Sequence, residues 1–183
     1  MELVITQNIT LDGVVESVDG WFDPADDDDA SDVVDVLRTQ MEAEDGFLVG
    51  RRTFEDMRGF WPHQTDDTTG ITAHLDAVAK YVVSSTLTDP GWGNSTVLAG
   101  DPVEEVAALK ARPGGDLGVT GSIELCHALV AAGLVDEYRL FTYPVVIGRG
   151  RRLFPHGADR LDLELVDSRR FRSGIVLSTY RPT

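Results

Sequence analysis

Apolar residues along this chain fall into short blocks separated by polar, glycine-rich stretches. Leu3-Val4-Ile5 opens the first block, which fades by Ile9. Phe47-Leu48-Val49, Tyr81-Val82-Val83, Thr96-Val97-Leu98 and Leu117-Gly118-Val119-Thr120 are the next four. Blocks of this length bounded by turn formers predict buried strands. Between them the period changes. Val33, Val34, Leu37 and Met41 recur at helical spacing behind Ser31, a good N-cap. Thr53, with Asp56 three residues on, predicts a capped helix start. Asp101-Pro102-Val103-Glu104 predicts another, with a cap, a proline at the first position and an acid to answer the cap. Ile123 to Ala132 reads as an apolar helix stopped by Gly133. The end of the chain differs: Tyr138 to Val146, Leu161 to Val166 and Ile175 to Tyr180 are strand-like, with no long helix between them. Alternation followed by a strand-only ending predicts an α/β fold. Its central sheet would be mixed and largely parallel, flanked by helices, with antiparallel strands at the C-terminal end. No repeat or linker interrupts the pattern, so residues 1–183 are expected to form a single domain.

Composition narrows the partners. A chain of 183 residues that is 42% hydrophobic can bury one real core. Its net charge of −15 argues against nucleic acid and against anionic membrane surfaces. Lysine is confined to Lys80 and Lys110, so arginine carries nearly all the positive charge. One cysteine, Cys126, allows no internal disulfide and points to a reducing compartment. The N-terminus runs straight into a strand pattern without the features of a signal peptide, and no apolar run approaches a membrane span. A soluble, cytoplasmic protein is expected.

Several constellations fail as sites. His63, His74, His127 and His156 lack metal-ligand spacing, so no metal is expected. Cys126 and His127 are adjacent on a helix and cannot face each other. The acidic run Asp26 to Asp29, in a Gly- and Asp-rich loop over 10–30, lacks the spaced oxygens and glycine of a calcium loop and reads as solvated surface. The basic stretch Gly148 to Arg152 resembles a phosphate patch, but five residues do not offset the overall charge.

Against that acidity, two adjacent arginines in "FLVGRRTFEDM" stand out. They follow a strand and precede a helix, where free backbone amides favour anions. Three segments share this strand-end form: Gly50-Arg51-Arg52-Thr53, Ser84-Ser85-Thr86 and Thr120-Gly121-Ser122-Ile123. Each puts hydroxyl or glycine residues where phosphate oxygens can approach the backbone.

These segments carry a resemblance. Together with "NITLDGVV", "KYVVSSTL", "VTGSIELCHALV", "GLVDEYRLFTYPVVIGRGRRLF" and "SGIVLSTYRP", they make the chain similar to the dihydrofolate reductase superfamily. The likeness is greatest to the branch of the C-terminal reductase domain of the bifunctional riboflavin-biosynthesis deaminase-reductase. The resemblance implies a three-layer fold and an NADPH-dependent reductase acting on a small heterocyclic, carbonyl or imine substrate. It implies that Arg51 and Arg52 hold the adenosine 2′-phosphate with Ser84, Ser85 and Thr86. Gly50, Thr53 and the following helix would meet the pyrophosphate, and Thr120 through Glu124 to Leu125 would cover its other side. Asp12 in "TLDG" would be the polar group near the nicotinamide, although an Asp-Gly turn explains the dipeptide equally well. Phe60 and Trp61 would wall the substrate pocket. The family also implies a homodimer through the late strands, with Asp136 to Val146 apolar enough to take part.

The chain departs from the superfamily at three points. Gly121-Ser122 stands where two glycines, often joined by a cis peptide, are usual; the serine can cap the next helix and donate to phosphate. Val34, between Asp32 and Asp35, occupies the place of the acid that binds the pterin ring. The segment Asp76-Ala77-Val78-Ala79 lacks the arginine that holds the folate tail. Folate is therefore not the expected substrate. The deaminase half has no counterpart, so a stand-alone reductase is expected. A non-catalytic nucleotide-binding or regulatory module, or a flavin-using variant, are the alternative readings.

Overall fold

The structure, a computed structural model, describes residues 1–22 and 31–183. The acidic run Asp26 to Asp29 and the rest of 23–30 lie outside the described residues, as does the side chain of the expected cap Ser31. Eight strands form one sheet in the order β4-β3-β2-β5-β1-β6-β8-β7. They are β1 (Glu2–Thr10), β2 (Glu44–Gly50), β3 (Ala79–Val83), β4 (Ser95–Leu98), β5 (Asp116–Val119), β6 (Glu137–Tyr143), β7 (Leu163–Arg170) and β8 (Val176–Pro182). The first six positions in that order are joined by parallel pairings, and β6-β8-β7 are antiparallel. The helices are α1 (Ser31–Ala43), α2 (Arg51–Phe60), α3 (Ile71–Ala77), α4 (Pro102–Lys110) and α5 (Ile123–Ala131). This is the mixed α/β sheet that the alternating blocks predict.

Period-two alternation divides the core by face. On one face Leu3, Ile5 and Ile9 of β1 join Leu117 and Val119 of β5, and Tyr138 and Leu140 of β6. They pack with Val106 and Leu109 of α4 and with Leu125, Cys126 and Leu129 of α5. The opposite face holds two separate clusters. Phe47, Val49, Phe54, Trp61, Leu75, Val78 and Val82 pack over β2 and β3. Phe141, Phe171, Ile175 and Leu177 pack over β6 and β8 with Val33, Val36 and Leu37 of α1. Between these clusters lie β5 and β1, which turn Gly118, Thr120, Thr6 and Asn8 to that face. The middle of the sheet is thus left without an apolar cover.

Several local expectations change. Asp101 does cap α4, accepting from the amides of Val103 and Glu104, but it is Glu105 that accepts from the Gly100 amide. Thr53 and Asp56 do not form a capping pair, because α2 already starts at Arg51 with Gly50 as an uncapped N-cap. Within Asp136 to Val146, β6 lies between β1 and β8 with Tyr138, Leu140 and Phe141 buried in the chain's own clusters, and that burial explains their apolarity, while Val146 beyond the strand is 67% exposed.

Short α3 has no strong periodic signal and is fixed by polar contacts instead. Asp67 accepts from the amides of Thr69 and Thr72, and Gly70 at φ 88° turns the chain into the helix. At the other end the fully buried Lys80 donates through Nζ to the carbonyls of Leu75 and Val78 and lies 4.8 Å from the Trp92 ring centre. A cation at a helix C-terminus answers both its free carbonyls and its dipole.

Candidate functional site

The sheet order β3-β2-β5 brings the three strand-end segments side by side. Gly50 and Gly121-Ser122 are tied together by a reciprocal pair of hydrogen bonds. The Gly50 amide donates to Ser122 Oγ at 2.9 Å, and the Ser122 amide donates to Thr53 Oγ1 at 3.0 Å. Gln7 Nε2 donates to the Gly121 carbonyl at 2.8 Å. Gly121 has φ 59°, and a Cβ there would stand 2.9 Å from Thr53 Cγ2, so the position needs glycine on both counts. Ser122 also takes a left-handed conformation, φ 47°, and the Gly121–Ser122 peptide is trans. The expected cap role of Ser122 is not seen: its hydroxyl serves Gly50, and neither α2 nor α5 has a side-chain cap. Two helix N-termini therefore open beside each other with amides unanswered by side chains.

Arg51 and Arg52 stand in the first turn of α2. Arg51 pairs with Glu55 at 2.8 Å, a half-exposed contact of the kind contributing under about 1 kcal/mol. Arg52 is exposed. Ser84 is buried, and its Oγ accepts from the amides of Thr86 and Leu87, while Ser85 and Thr86 are exposed. Glu124 is exposed on α5 and Leu125 is buried in the core.

The uncovered middle of the sheet is a cleft of about 820 Å³, within the usual range for small-molecule sites. Thr53, Thr120, Gly121, Ser122 and Ile123 reach its upper end, whereas Arg51, Arg52, Ser84, Ser85 and Thr86 do not line it. Phe60 and Trp61 do line it, edge to face at 5.1 Å. Sequence reasoning missed the facing wall, where Trp21, Phe22 and Tyr143 pack with centroids 5.3–5.8 Å apart. Val34 of α1 lines the cleft, while Asp32 turns to the Arg172 amide at 3.1 Å. No carboxylate of α1 serves the pocket at that point.

Asp12 sits outside the cleft lining. It accepts from Thr10 Oγ1 at 2.6 Å, from the Gly148 amide at 2.8 Å and from the Ile147 amide at 3.3 Å. Led by the Thr10 hydroxyl, these donors hold its pKa down at about 2. That geometry fits the Asp-Gly turn, clamping the loop after β1 to the loop after β6. An acid ionised from about pH 2 upwards has no proton to give at neutral pH.

The inner end of the cleft was not foreseen. Glu44, the first residue of β2, meets His74 of α3 with Oε2–Nε2 at 2.5 Å. Beside them Arg139 donates to Asp116 at 2.8 Å and to Glu137 at 2.7 Å. Glu44, His74, Asp116 and Arg139 all line the cleft. Burial pushes the Glu44 carboxyl up, against the His74 hydrogen bond that lowers it. A carboxyl whose folded pKa is raised costs nothing below its unfolded value near 4.5 and loses stability as pH rises through the folded pKa. Glu44→Gln should therefore gain on the wild type in urea unfolding as pH climbs from about 4.5, then run parallel to it. A constant offset at every pH would refute the assignment.

Among the described residues no group of three or more His, Cys, Asp and Glu could hold a metal ion, and no helix is long and apolar enough to cross a membrane. Cys126 is fully buried and its thiol is pushed up to about 12 by desolvation.

The chain is 32% identical over 181 residues to YyaP, an uncharacterized protein of Bacillus subtilis (strain 168), spanning 97% of this chain and 93% of that one. Among solved structures, a provisionally named riboflavin biosynthesis protein from Shewanella sp. PV-4 superposes with a TM-score of 0.72 at 21% identity, covering 100% of this chain and 99% of that one. A dihydrofolate reductase from Enterococcus faecalis complexed with NADP(H) superposes with a TM-score of 0.63 at 17% identity, covering 100% and 96%. Those likenesses establish a dihydrofolate reductase-like fold. Residues 2–177 match the RibD C-terminal domain, and the chain belongs to that reductase-like family.

Proposed function

We propose that the chain is an NADPH-dependent oxidoreductase that reduces a small heterocyclic, carbonyl or imine substrate. One observation carries the reading: α2 and α5 begin side by side without side-chain caps at the upper end of an 820 Å³ cleft, and α2 bears Arg51 and Arg52 in its first turn. Uncapped helix starts favour a pyrophosphate, and planar guanidinium groups favour a phosphate monoester such as the 2′-phosphate. NADPH, when bound, supplies the hydride. In this reading the amides of Arg51 to Thr53 and of Ile123 to Leu125 hold the pyrophosphate. Gly50, Thr120, Gly121 and Ser122 keep the two helix starts in register. Arg51 leaves Glu55 to join Arg52 on the 2′-phosphate, with Ser84, Ser85 and Thr86 beside them. Phe60 and Trp61 on one wall, and Trp21 and Tyr143 on the other, hold a planar substrate and exclude water. Asp12 acts by fixing the loop above the cleft. A homodimer through the late strands belongs to the same proposal, with Val146 after β6 67% exposed and Leu165 and Val166 on edge strand β7 53% and 54% exposed.

The test is a thermal-shift titration with NADPH and NADH on the wild type and on Arg51→Ala. At a hundred times its dissociation constant a ligand stabilises by about 2.7 kcal/mol. For a chain of this size that raises the melting temperature by about 5–10 °C. NADPH should produce that shift, NADH much less, and Arg51→Ala should bring the two together. No shift with either dinucleotide would sink the cofactor assignment.

A further inference from the structure

Glu44 stands at the start of seven-residue β2, roughly 20 Å along the strand from Gly50. A ligand that reaches this inner end while its other end lies near the helix starts must be elongated. The end is built to present a carboxylate. A Cβ on Gly118 would come within 1.5 Å of Glu44 Oε1, so the glycine is what leaves room for that group. His74 fixes the carboxylate from the α3 side, and its ring sits on a helix anchored by Asp67 and Lys80. The charge balance at this end is negative. Arg139 is committed through Nε to Glu137, which Arg181 also reaches, and through Nη2 to Asp116, so its hydrogen bonds go to those two acids while Glu44 meets the His74 ring. No lysine lines the cleft, and Arg151 at its mouth is held by Glu16 at 2.7 Å. Asp56, Asp66 and Asp67 add to the same sign along the wall. A cleft lined by one sign of charge concentrates the opposite sign.

We propose that the inner end of the cleft recognises a cationic end group of the substrate, an ammonium, amidinium or guanidinium, with Glu44 as its direct partner and His74 as the residue that positions Glu44. An anionic group at that end is excluded by Glu44 and Asp116. The inference rests on the cleft being the substrate site of the proposed reductase, and it adds the chemical class of the substrate's far end. The cofactor's phosphates do not conflict with it, because Arg51 and Arg52 lie off the cleft lining at the opposite end of β2.

The experiment uses benzamidine as the cationic probe and benzoate as its anionic counterpart of similar size. Binding is read by calorimetry and by the His74 ring resonances in NMR. Benzamidine should bind and move the His74 signals. Glu44→Gln, which keeps the shape and a hydrogen bond to His74, should weaken binding by about ten- to a hundredfold. Benzoate should not compete. The melting temperature of Glu44→Gln checks that the variant is folded. His74→Gln, as a second variant, should weaken benzamidine less than Glu44→Gln does. Benzoate binding tighter than benzamidine, an unchanged benzamidine affinity in Glu44→Gln, or no benzamidine binding to the folded wild type would each overturn the proposal. The NADPH titration reads the other end of the cleft, so failure of the cofactor reading and failure of this one are seen separately.

Discussion

Phe54→Ala should cost about 3–5 kcal/mol, the usual range for removing a large aromatic side chain from a packed interior. Phe54 is 1% exposed and is the buried side chain of α2. It joins α2 to Phe47 and Val49 of β2, to Val82 of β3 and to Trp61 and Leu75 beyond the helix. Its ring lies 5.8 Å from that of Trp92, and the Arg58 guanidinium stands 5.8 Å from its centre. The other phenylalanine of α2, Phe60, is 36% exposed and sits at the helix end, so it cannot fill the space left inside. For a chain of this length the melting temperature should fall by about 6–20 °C. The loss should also reach the helix start. Thr53 is one residue away and holds the Ser122 amide, so a loosened α2 weakens the register between the two helix N-termini. Urea unfolding measures the first effect and NADPH titration the second. A cost below about 1 kcal/mol would mean that α2 is held by something other than this ring.

Arg139→Met should be nearly as severe, at about 3 kcal/mol, for a different reason. Arg139 bridges Asp116 and Glu137, with side chains 17%, 15% and 6% exposed. Removing one partner from a buried ionic group leaves charge without compensation, and that costs more than the pair itself contributes. Arg181 still reaches Glu137 at 2.9 Å, which holds the cost toward the lower end of the range. The triple variant Arg139→Met with Asp116→Asn and Glu137→Gln should recover much of the loss, because no buried charge is then left alone. Denaturant unfolding of the two variants side by side decides the matter. If the triple variant is no better than the single one, lost packing of the arginine stem rather than unpaired charge is the cause.

The sheet was legible in the sequence because its buried strands are short apolar blocks, and the helices that cover them carry period or caps. Leu3-Val4-Ile5 and Phe47-Leu48-Val49 are read that way without ambiguity. The strand-end segments were legible for a chemical reason: arginines in an acidic chain need an anion, and small residues after strands leave backbone exposed. Their mutual wiring was not. Thr53 looks like a cap by its spacing to Asp56, yet its hydroxyl is taken by Ser122, 69 positions away in sequence. No local pattern encodes that contact. The inner end of the cleft was hidden for the same reason. His74 belongs to a seven-residue helix held by Asp67 and Lys80 rather than by periodicity. Glu44 reads as the polar edge of a strand until Gly118 is seen to make room for it. One signal was present and passed over. Thr6 and Asn8 interrupt a central strand that should be apolar on both faces, and such an interruption marks the floor of a cavity.

The same burial that makes Cys126 chemically silent gives the protein a meter of its own breathing. The chain's one thiol is wholly enclosed under α5 and stays protonated up to about pH 12, so disulfide exchange and alkylation cannot reach it while the α5 face is closed. Every sulfur that does react belongs to a molecule that has opened there. The cysteine thus counts excursions of the α5 layer, whose first residue, Ile123, also reaches the cleft.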